Sequence, residues 1–117
     1  MSFKNITILT ALVLLSSFAS AEQIYHYAKI DKIILDGVNY GGCMVYMNPN
    51  QKLLNCRQDF VSLDCNGEIT NTKTHAKSML DTAQLAFLTD NTVRLRISDS
   101  KTINGFCTAD YIRIDKQ

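Results

Sequence analysis

Apolar and polar residues alternate along several stretches of this 117-residue chain. Alternation with a period of two predicts strands that are buried on one face. In the first such stretch the alternation slips at Asp31 and Lys32, which predicts a β-bulge in a bent strand. The last two stretches place Arg94, Arg96 and Arg113 on outward faces. The predicted strands are Ile24–Leu35, Cys43–Met47, Lys52 to about Cys65, Val93–Ile97 and Phe106–Ile114.

Between the third and fourth strands the spacing becomes helical. A cap at Thr72 or Thr74 precedes the helix, which should end near Asp90. Its expected core stripe is Ala76, Met79, Leu80, Ala83, Ala86 and Phe87. The opposite face is small and carries a single charge, so we expect it at a homo-oligomer interface or lining the pore of a ring. That face consists of Ser78, Asp81, Thr82 and Leu85.

The order of elements predicts a mainly β fold with one α-helix. Three strands, a helix and two strands are the order of the OB-fold, a five-stranded Greek-key barrel with the helix between strands 3 and 4. An α+β sandwich with a flat sheet has the same order and is the alternative. The bent first strand favours the barrel, because closure needs curvature.

Residues 1–21 have the features of a signal peptide. A single cation, Lys4, precedes the apolar run Ile6–Leu15, and Ala19-Ser20-Ala21 is a small-x-small cleavage site. The run is shorter than the roughly 20 residues of a membrane-spanning helix. We therefore expect cleavage after Ala21, a single mature domain at 22–117, and a secreted or periplasmic location.

The charge balance argues against nucleic acid and anionic membranes as partners. The chain has 12 Lys plus Arg and 11 Asp plus Glu, and loss of Lys4 with the signal peptide leaves eleven of each. A neutral domain lacks the electrostatic attraction that phosphate backbones exert on basic proteins. No second apolar stretch of the sequence is long enough for a membrane span.

The four cysteines predict two disulfides, because thiols in an oxidising compartment form structural disulfides rather than remain reactive. Three connectivities are open. Asn48-Pro49-Asn50-Gln51 is a turn signal, and a hairpin folded there places Cys43 opposite Cys56. Cys65–Cys107 then follows by elimination. Zinc is not expected, because the cysteines form no CxxC pair and both histidines are remote from them.

The sequence contains no catalytic, cofactor or metal motif. His26 and His75 have no nucleophile or orienting acid nearby in the pattern, so we expect a non-enzymatic protein. OB barrels bind oligosaccharides or oligonucleotides, and secretion favours the sugar. Tyrosines are also common in strands and asparagines in turns, so each candidate has an ordinary structural explanation. The candidate ligand-binding residues are Tyr25, Tyr27, Tyr46, Asn48 and Asn50, with Tyr40 as a further aromatic.

The helix and the strand after it, residues 76–97, resemble the pentameric B subunits of bacterial A–B toxins of the subtilase-cytotoxin and typhoid-toxin type. The matching features are Leu80-Asp81, Ala83, Thr89 and Val93-Arg94 at unbroken spacing. A hairpin with a cysteine at each base and the size of the mature chain are also similar. The glycan-contacting serine of that family has no counterpart in the first strand, where this chain has Tyr25-His26-Tyr27-Ala28.

The resemblance implies an OB-fold, a homopentameric ring with helices around its pore, binding of sialylated host glycans, and a catalytic A subunit as partner. The alternative is a stand-alone periplasmic OB-fold protein that binds a cell-envelope polymer or a protein.

Overall fold

The computed structural model describes residues 22–116. The predicted signal peptide, 1–21, lies outside the described residues. Three strands, a helix and two strands follow one another as predicted, with a short 3-10 turn at Tyr40–Gly42 before the second strand. The elements are β1 (Gln23–Leu35), β2 (Cys43–Asn48), β3 (Arg57–Ser62), α1 (Lys73–Thr89), β4 (Thr92–Ile103) and β5 (Phe106–Asp115).

The five strands form a closed barrel in the order β1-β2-β3-β5-β4, with β4 pairing back to β1. The β3–β5 pair is parallel, and the other four pairs are antiparallel. This closure confirms the OB-fold-like barrel and rules out the flat-sheet alternative. The predicted bulge is also confirmed, because the β1–β2 register shifts between Ile30 and Lys32.

The helix closes one side of the barrel. Thr72 caps its first turn by accepting a hydrogen bond from the His75 backbone N–H, and Asp90 ends it in a left-handed conformation. The helix buries Ala76, Met79, Ala83 and Ala86 against barrel residues such as Val45, Leu95 and Ala109. Phe87 was predicted in this stripe, but 44% of its surface is exposed. It follows Ala86 by 100° of helical turn and therefore lies on the flank of the buried stripe.

Two strand boundaries differ from the prediction. β3 begins only at Arg57, because residues 49–56 form a loop without regular structure. β4 continues to Ile103, beyond its predicted end at Ile97, and the turn before β5 is Asn104-Gly105, both at positive φ. The outer part of the β4–β5 hairpin is largely exposed, so alternation does not reveal it.

All four cysteines are in disulfides, but the predicted pairing is wrong: the bonds are Cys43–Cys65 and Cys56–Cys107. β2 and β3 are antiparallel, so the start of β2 lies beside the end of β3. The backbone N–H of Leu63 accordingly donates to the carbonyl of Cys43. Arg57 pairs with Phe106 across β3 and β5, and Cys56 and Cys107 are the chain neighbours of these two residues, so they lie close together, with Cα atoms 5.5 Å apart. The hairpin argument failed because it assumed a four-residue turn.

Glu22, the first described residue, is tied to the barrel by Asp99. The Glu22 backbone N–H donates to one carboxylate oxygen of Asp99 at 2.8 Å. The other oxygen accepts from the Asn55 backbone N–H at 3.0 Å. One carboxylate therefore fixes both the start of β1 and the loop before β3.

Candidate functional site

The outer face of β1, β4 and β5 carries three tyrosines and three arginines. The register places Tyr25 beside Arg96 and Tyr27 beside Arg94. Val93, Leu95 and Ile97 point into the core, so the arginines between them point outward. We call this surface the arginine–tyrosine face: Tyr25, Tyr27, Arg94, Arg96, Tyr111 and Arg113.

Two of its arginines are neutralised by carboxylates. Arg96 donates to both oxygens of Asp110, at 2.7 and 3.1 Å. These hydrogen bonds, and one with Tyr25, raise the pKa of Arg96. Arg113 donates in the same bidentate way to Asp115, and that contact lowers the pKa of the Asp115 carboxyl. The donors of these two arginines are thus largely occupied.

Arg94 is different. Its guanidinium carbon lies 3.9 Å from the ring centroid of Tyr25 and 5.7 Å from that of Tyr27. Within residues 22–116 it forms no salt bridge, and its buried Nε has no hydrogen-bond partner. A buried donor without a partner costs roughly 1–3 kcal/mol. A guanidinium that lies over an aromatic ring and forms no salt bridge in the described part of the chain is suited to bind a carboxylate through two parallel hydrogen bonds.

The structure brings together only some of the predicted site residues. Tyr25 and Tyr27 share the arginine–tyrosine face and are 49% and 50% exposed. Tyr46, Asn48 and Asn50 lie on or after β2, away from it. Sequence reasoning had treated the arginines as solvated positions and did not consider Tyr111. The sequence does contain Tyr-x-Tyr in β1 and Arg-x-Arg in β4. These spacings predict a shared face only if the two strands are known to pair.

A second aromatic cluster links the 3-10 turn, β2, β3 and the start of β5, where Phe106 is buried. Tyr46 meets Phe60 edge-on at 5.1 Å, Phe60 meets Phe106 at 6.1 Å, and Phe106 meets Tyr40 at 5.8 Å. We call these four residues the β2–β3 aromatic row. Lys32 lies over the ring of Tyr46 at one end, and Arg57 lies over Phe106 at 4.2 Å.

An open hollow adjoins this row. Its lining residues are Asn50, Cys56, Arg57, Gln58 and Asp59. The side-chain oxygen of Asn50 is buried and has no partner. Asn48, by contrast, is occupied, because its amide donates to Asp31 at 3.0 Å. Asn50 is therefore the predicted asparagine that retains an unmet acceptor.

Both histidine rings contact backbone carbonyls. His26 Nε2 lies 2.6 Å from the carbonyl oxygen of Pro49, and His75 Nε2 lies 2.9 Å from that of Asp110. These contacts hold the loop after β2 and the start of α1 against the barrel. Across residues 22–116, no cluster of three His, Cys, Asp or Glu side chains is arranged to hold a metal ion.

The helix residues predicted at an interface lie on the outside of α1. Ser78, Asp81 and Leu85 are exposed, while Thr82 is partly buried. Ser78 and Thr82 also line a groove between α1 and β5, together with Tyr111. The described part of the chain has no helix of the length and apolarity needed to cross a membrane.

No family model, curated protein or solved structure matches this chain. The case for function therefore rests on the two surfaces.

Proposed function

We propose that this protein is a secreted, non-enzymatic module that binds acidic glycans of the sialoglycan class through its arginine–tyrosine face. The observation that carries the proposal is the guanidinium of Arg94, which lies over the ring of Tyr25 and forms no salt bridge within residues 22–116. Its neighbours Arg96 and Arg113 each hold a carboxylate of this chain, so Arg94 is the arginine on the face that is left for a carboxylate of a ligand.

The surroundings of Arg94 fit a sugar acid. Stacking on Tyr25 fixes the plane of the guanidinium, which leaves its edge to donate to two carboxylate oxygens. The exposed ring of Tyr27 offers an apolar surface beside it, against which the C–H face of a sugar ring can pack. Preorganisation of this kind lowers the entropic cost of binding.

In the B-subunit form of the proposal, five copies assemble into a ring that presents five such faces, and the ring accompanies a catalytic A subunit. Multivalent display raises avidity without new contacts, which suits weak single-site sugar binding. The alternative is a stand-alone periplasmic protein that binds a cell-envelope polymer or a protein. A catalytic A-subunit gene beside this gene would favour the first, and its absence the second.

The test compares binding of sialyllactose, its methyl ester and lactose to the oxidised protein by calorimetry or on a glycan surface. We expect the free acid to bind most tightly, because only it accepts two charge-assisted hydrogen bonds. Arg94→Gln should weaken that binding about 10- to 100-fold, the loss of hydrogen bonds to a charged group. Arg94→Lys should bind more weakly than the wild type and more tightly than Arg94→Gln, because lysine keeps the positive charge but lacks the two parallel N–H donors of the guanidinium.

Arg57→Gln is the matched control, because it removes a cation that lies over Phe106 and is not part of the arginine–tyrosine face. It should leave sialyllactose binding unchanged. Equal binding of the acid and its ester, or full binding by Arg94→Gln, would show that the proposal is wrong.

A further inference from the structure

We infer that Asn104 is a site of spontaneous deamidation, in which its side-chain amide is converted to a carboxylate without an enzyme. The inference concerns a covalent modification of the chain and is independent of the proposed function. Asn-Gly occurs twice in the sequence, at Asn66-Gly67 and at Asn104-Gly105. A glycine after asparagine favours the reaction, because no side chain shields the backbone nitrogen that attacks the amide. The structure distinguishes the two pairs.

The reaction closes a five-membered ring between the two residues of an Asn-Gly pair. The Gly105 backbone nitrogen loses its proton to hydroxide and attacks the side-chain carbon Cγ of Asn104. The Cγ–Nδ2 bond then breaks, and the amide nitrogen takes a proton from water and leaves as ammonia. Water next opens the succinimide ring at either of its two carbonyls, which yields aspartate or isoaspartate. Water and hydroxide are the only other reactants.

The turn at Asn104-Gly105 has a backbone that can accommodate this ring. Ile103 pairs with Phe106 across the β4–β5 hairpin, so the two residues between them form the whole loop. Their φ angles of 53° and 84° are those of a type I′ turn. A succinimide ring fixes ψ of its first residue at about −120°, the value for a type II′ turn. Both primed turns keep φ positive at that residue and fit a hairpin, so only the peptide plane between the two residues has to rotate.

The attacking nitrogen of Gly105 has no backbone hydrogen bond to give up. Within residues 22–116 the Gly105 N–H donates to no backbone carbonyl. The carbonyl of Gly105, which accepts from the Arg57 backbone N–H at 2.8 Å, lies beyond the peptide plane that rotates. Asn104 and Gly105 are both exposed, so hydroxide and water can reach the turn.

A backbone donor is already directed at the oxygen on which negative charge develops. The Tyr40 N–H donates to Oδ1 of Asn104 at 2.9 Å. Attack on Cγ turns this carbonyl oxygen into an oxyanion, which a fixed N–H donor stabilises more than it stabilises the neutral amide. The two residues are 64 positions apart in the chain, so only the folded protein provides this contact.

At Asn66 the attacking nitrogen is occupied. The Gly67 N–H donates to the carbonyl of Asp64 at 2.9 Å, and the Asn66 N–H donates to that of Gly41 at 2.8 Å. The peptide plane between Asn66 and Gly67 therefore cannot rotate without loss of a hydrogen bond. Folding should slow the reaction at Asn66 and leave it open at Asn104.

The experiment follows both asparagines in one sample of the oxidised mature protein, incubated at mildly alkaline pH. Peptide mapping by mass spectrometry gives the converted fraction at each position, and chromatography separates aspartate from isoaspartate. In the native protein we expect Asn104 to convert about tenfold faster than Asn66, because only Asn66 must first lose a backbone hydrogen bond. In urea with reductant the two rates should become similar, because both residues then belong to unfolded Asn-Gly pairs.

Two variants followed by ion-exchange chromatography provide the matched comparison, since each conversion adds a negative charge. Asn66→Gln should gain acidic species at the wild-type rate. Asn104→Gln should gain them about tenfold more slowly, because glutamine would have to close a larger ring and only the slower asparagine remains. Faster conversion at Asn66 than at Asn104 in the native protein would overturn the inference. So would a ratio of the two rates that is the same with and without urea.

Discussion

The loop between β3 and α1 is organised by one carboxylate, and its loss should destabilise the protein strongly. Asp64 is fully buried. One of its oxygens accepts from the Glu68 backbone N–H at 2.7 Å. The other accepts from the backbone N–H groups of Ile69, Thr70 and Asn71, at 3.0, 2.6 and 2.9 Å. Four donors thus converge on a single ionised group.

The substitution Asp64→Asn tests this arrangement. An amide has only one acceptor oxygen. Either the backbone N–H of Glu68 or the three backbone N–H groups that share the other oxygen must then face the N–H₂ group of the asparagine. The bonds that survive change from charged to neutral acceptors, which costs about 1 kcal/mol each. The expected loss of unfolding free energy at pH 7 is about 3 kcal/mol. For a domain of this size it lowers the melting temperature by about 12 °C or more.

The effect should depend on pH with a defined sign. Burial alone raises the pKa of Asp64, but the four backbone N–H donors outweigh it, so its pKa lies below the usual value. The stabilisation is therefore complete above the unfolded-state pKa of about 3.9 and is lost as pH falls through the lower folded pKa. The difference between wild type and Asp64→Asn should be full at pH 7 and shrink below about pH 4.

The assay is urea unfolding, followed by circular dichroism, at pH 7 and at a pH below about 4. Asp36→Asn is the matched control, since Asp36 also accepts two backbone N–H bonds but lies in an exposed loop. Water can replace those bonds, so the control should lose far less stability. A loss below about 0.5 kcal/mol for Asp64→Asn at pH 7, the range of ordinary surface substitutions, would refute the reasoning. An equal loss at low pH would do the same.

Three further predictions concern the rest of the barrel. Replacing Cys56 and Cys107 by serine should cost about 4 kcal/mol by loop-closure entropy, measured by urea unfolding; peptide mapping without reductant that finds either residue in another bond would contradict the pairing. Ser78→Glu combined with Leu85→Lys should shift the proposed ring to smaller species in native mass measurements while the circular dichroism spectrum is kept; a wild type that is monomeric at micromolar concentration, or unchanged assembly of the variant, would sink that prediction. Cleavage at the predicted site after Ala21 would turn the Glu22 backbone N–H, which donates to Asp99, into a terminal ammonium. Asp99→Asn should therefore lower the melting temperature of a chain that begins at Glu22 more than that of the uncleaved chain. Equal losses would contradict a pairing of the Glu22 ammonium with Asp99.

The sequence by itself determined the order of elements and most of the core. Alternation at Val93–Ile97 and the helical spacing from Ala76 depend on local geometry, so both are readable without tertiary contacts. The slip at Asp31 likewise indicated the bulge, because a one-residue insertion changes which side chains face the core. Three strands, one helix and two strands were then enough to predict the barrel.

Only the tertiary structure decided which cysteines pair and which surface residues meet. Cys56 reaches Cys107 because closure of the barrel sets the start of β3, at Arg57, beside the start of β5, at Phe106, and no local pattern contains that contact. Within residues 22–116 Arg94 forms no salt bridge, because strand pairing sets Arg96 beside Asp110 and sets Arg94 over Tyr25. Such juxtapositions join residues far apart in the chain, and strand pairing fixes them. Local sequence therefore indicated the elements, and closure of the barrel created the candidate sites.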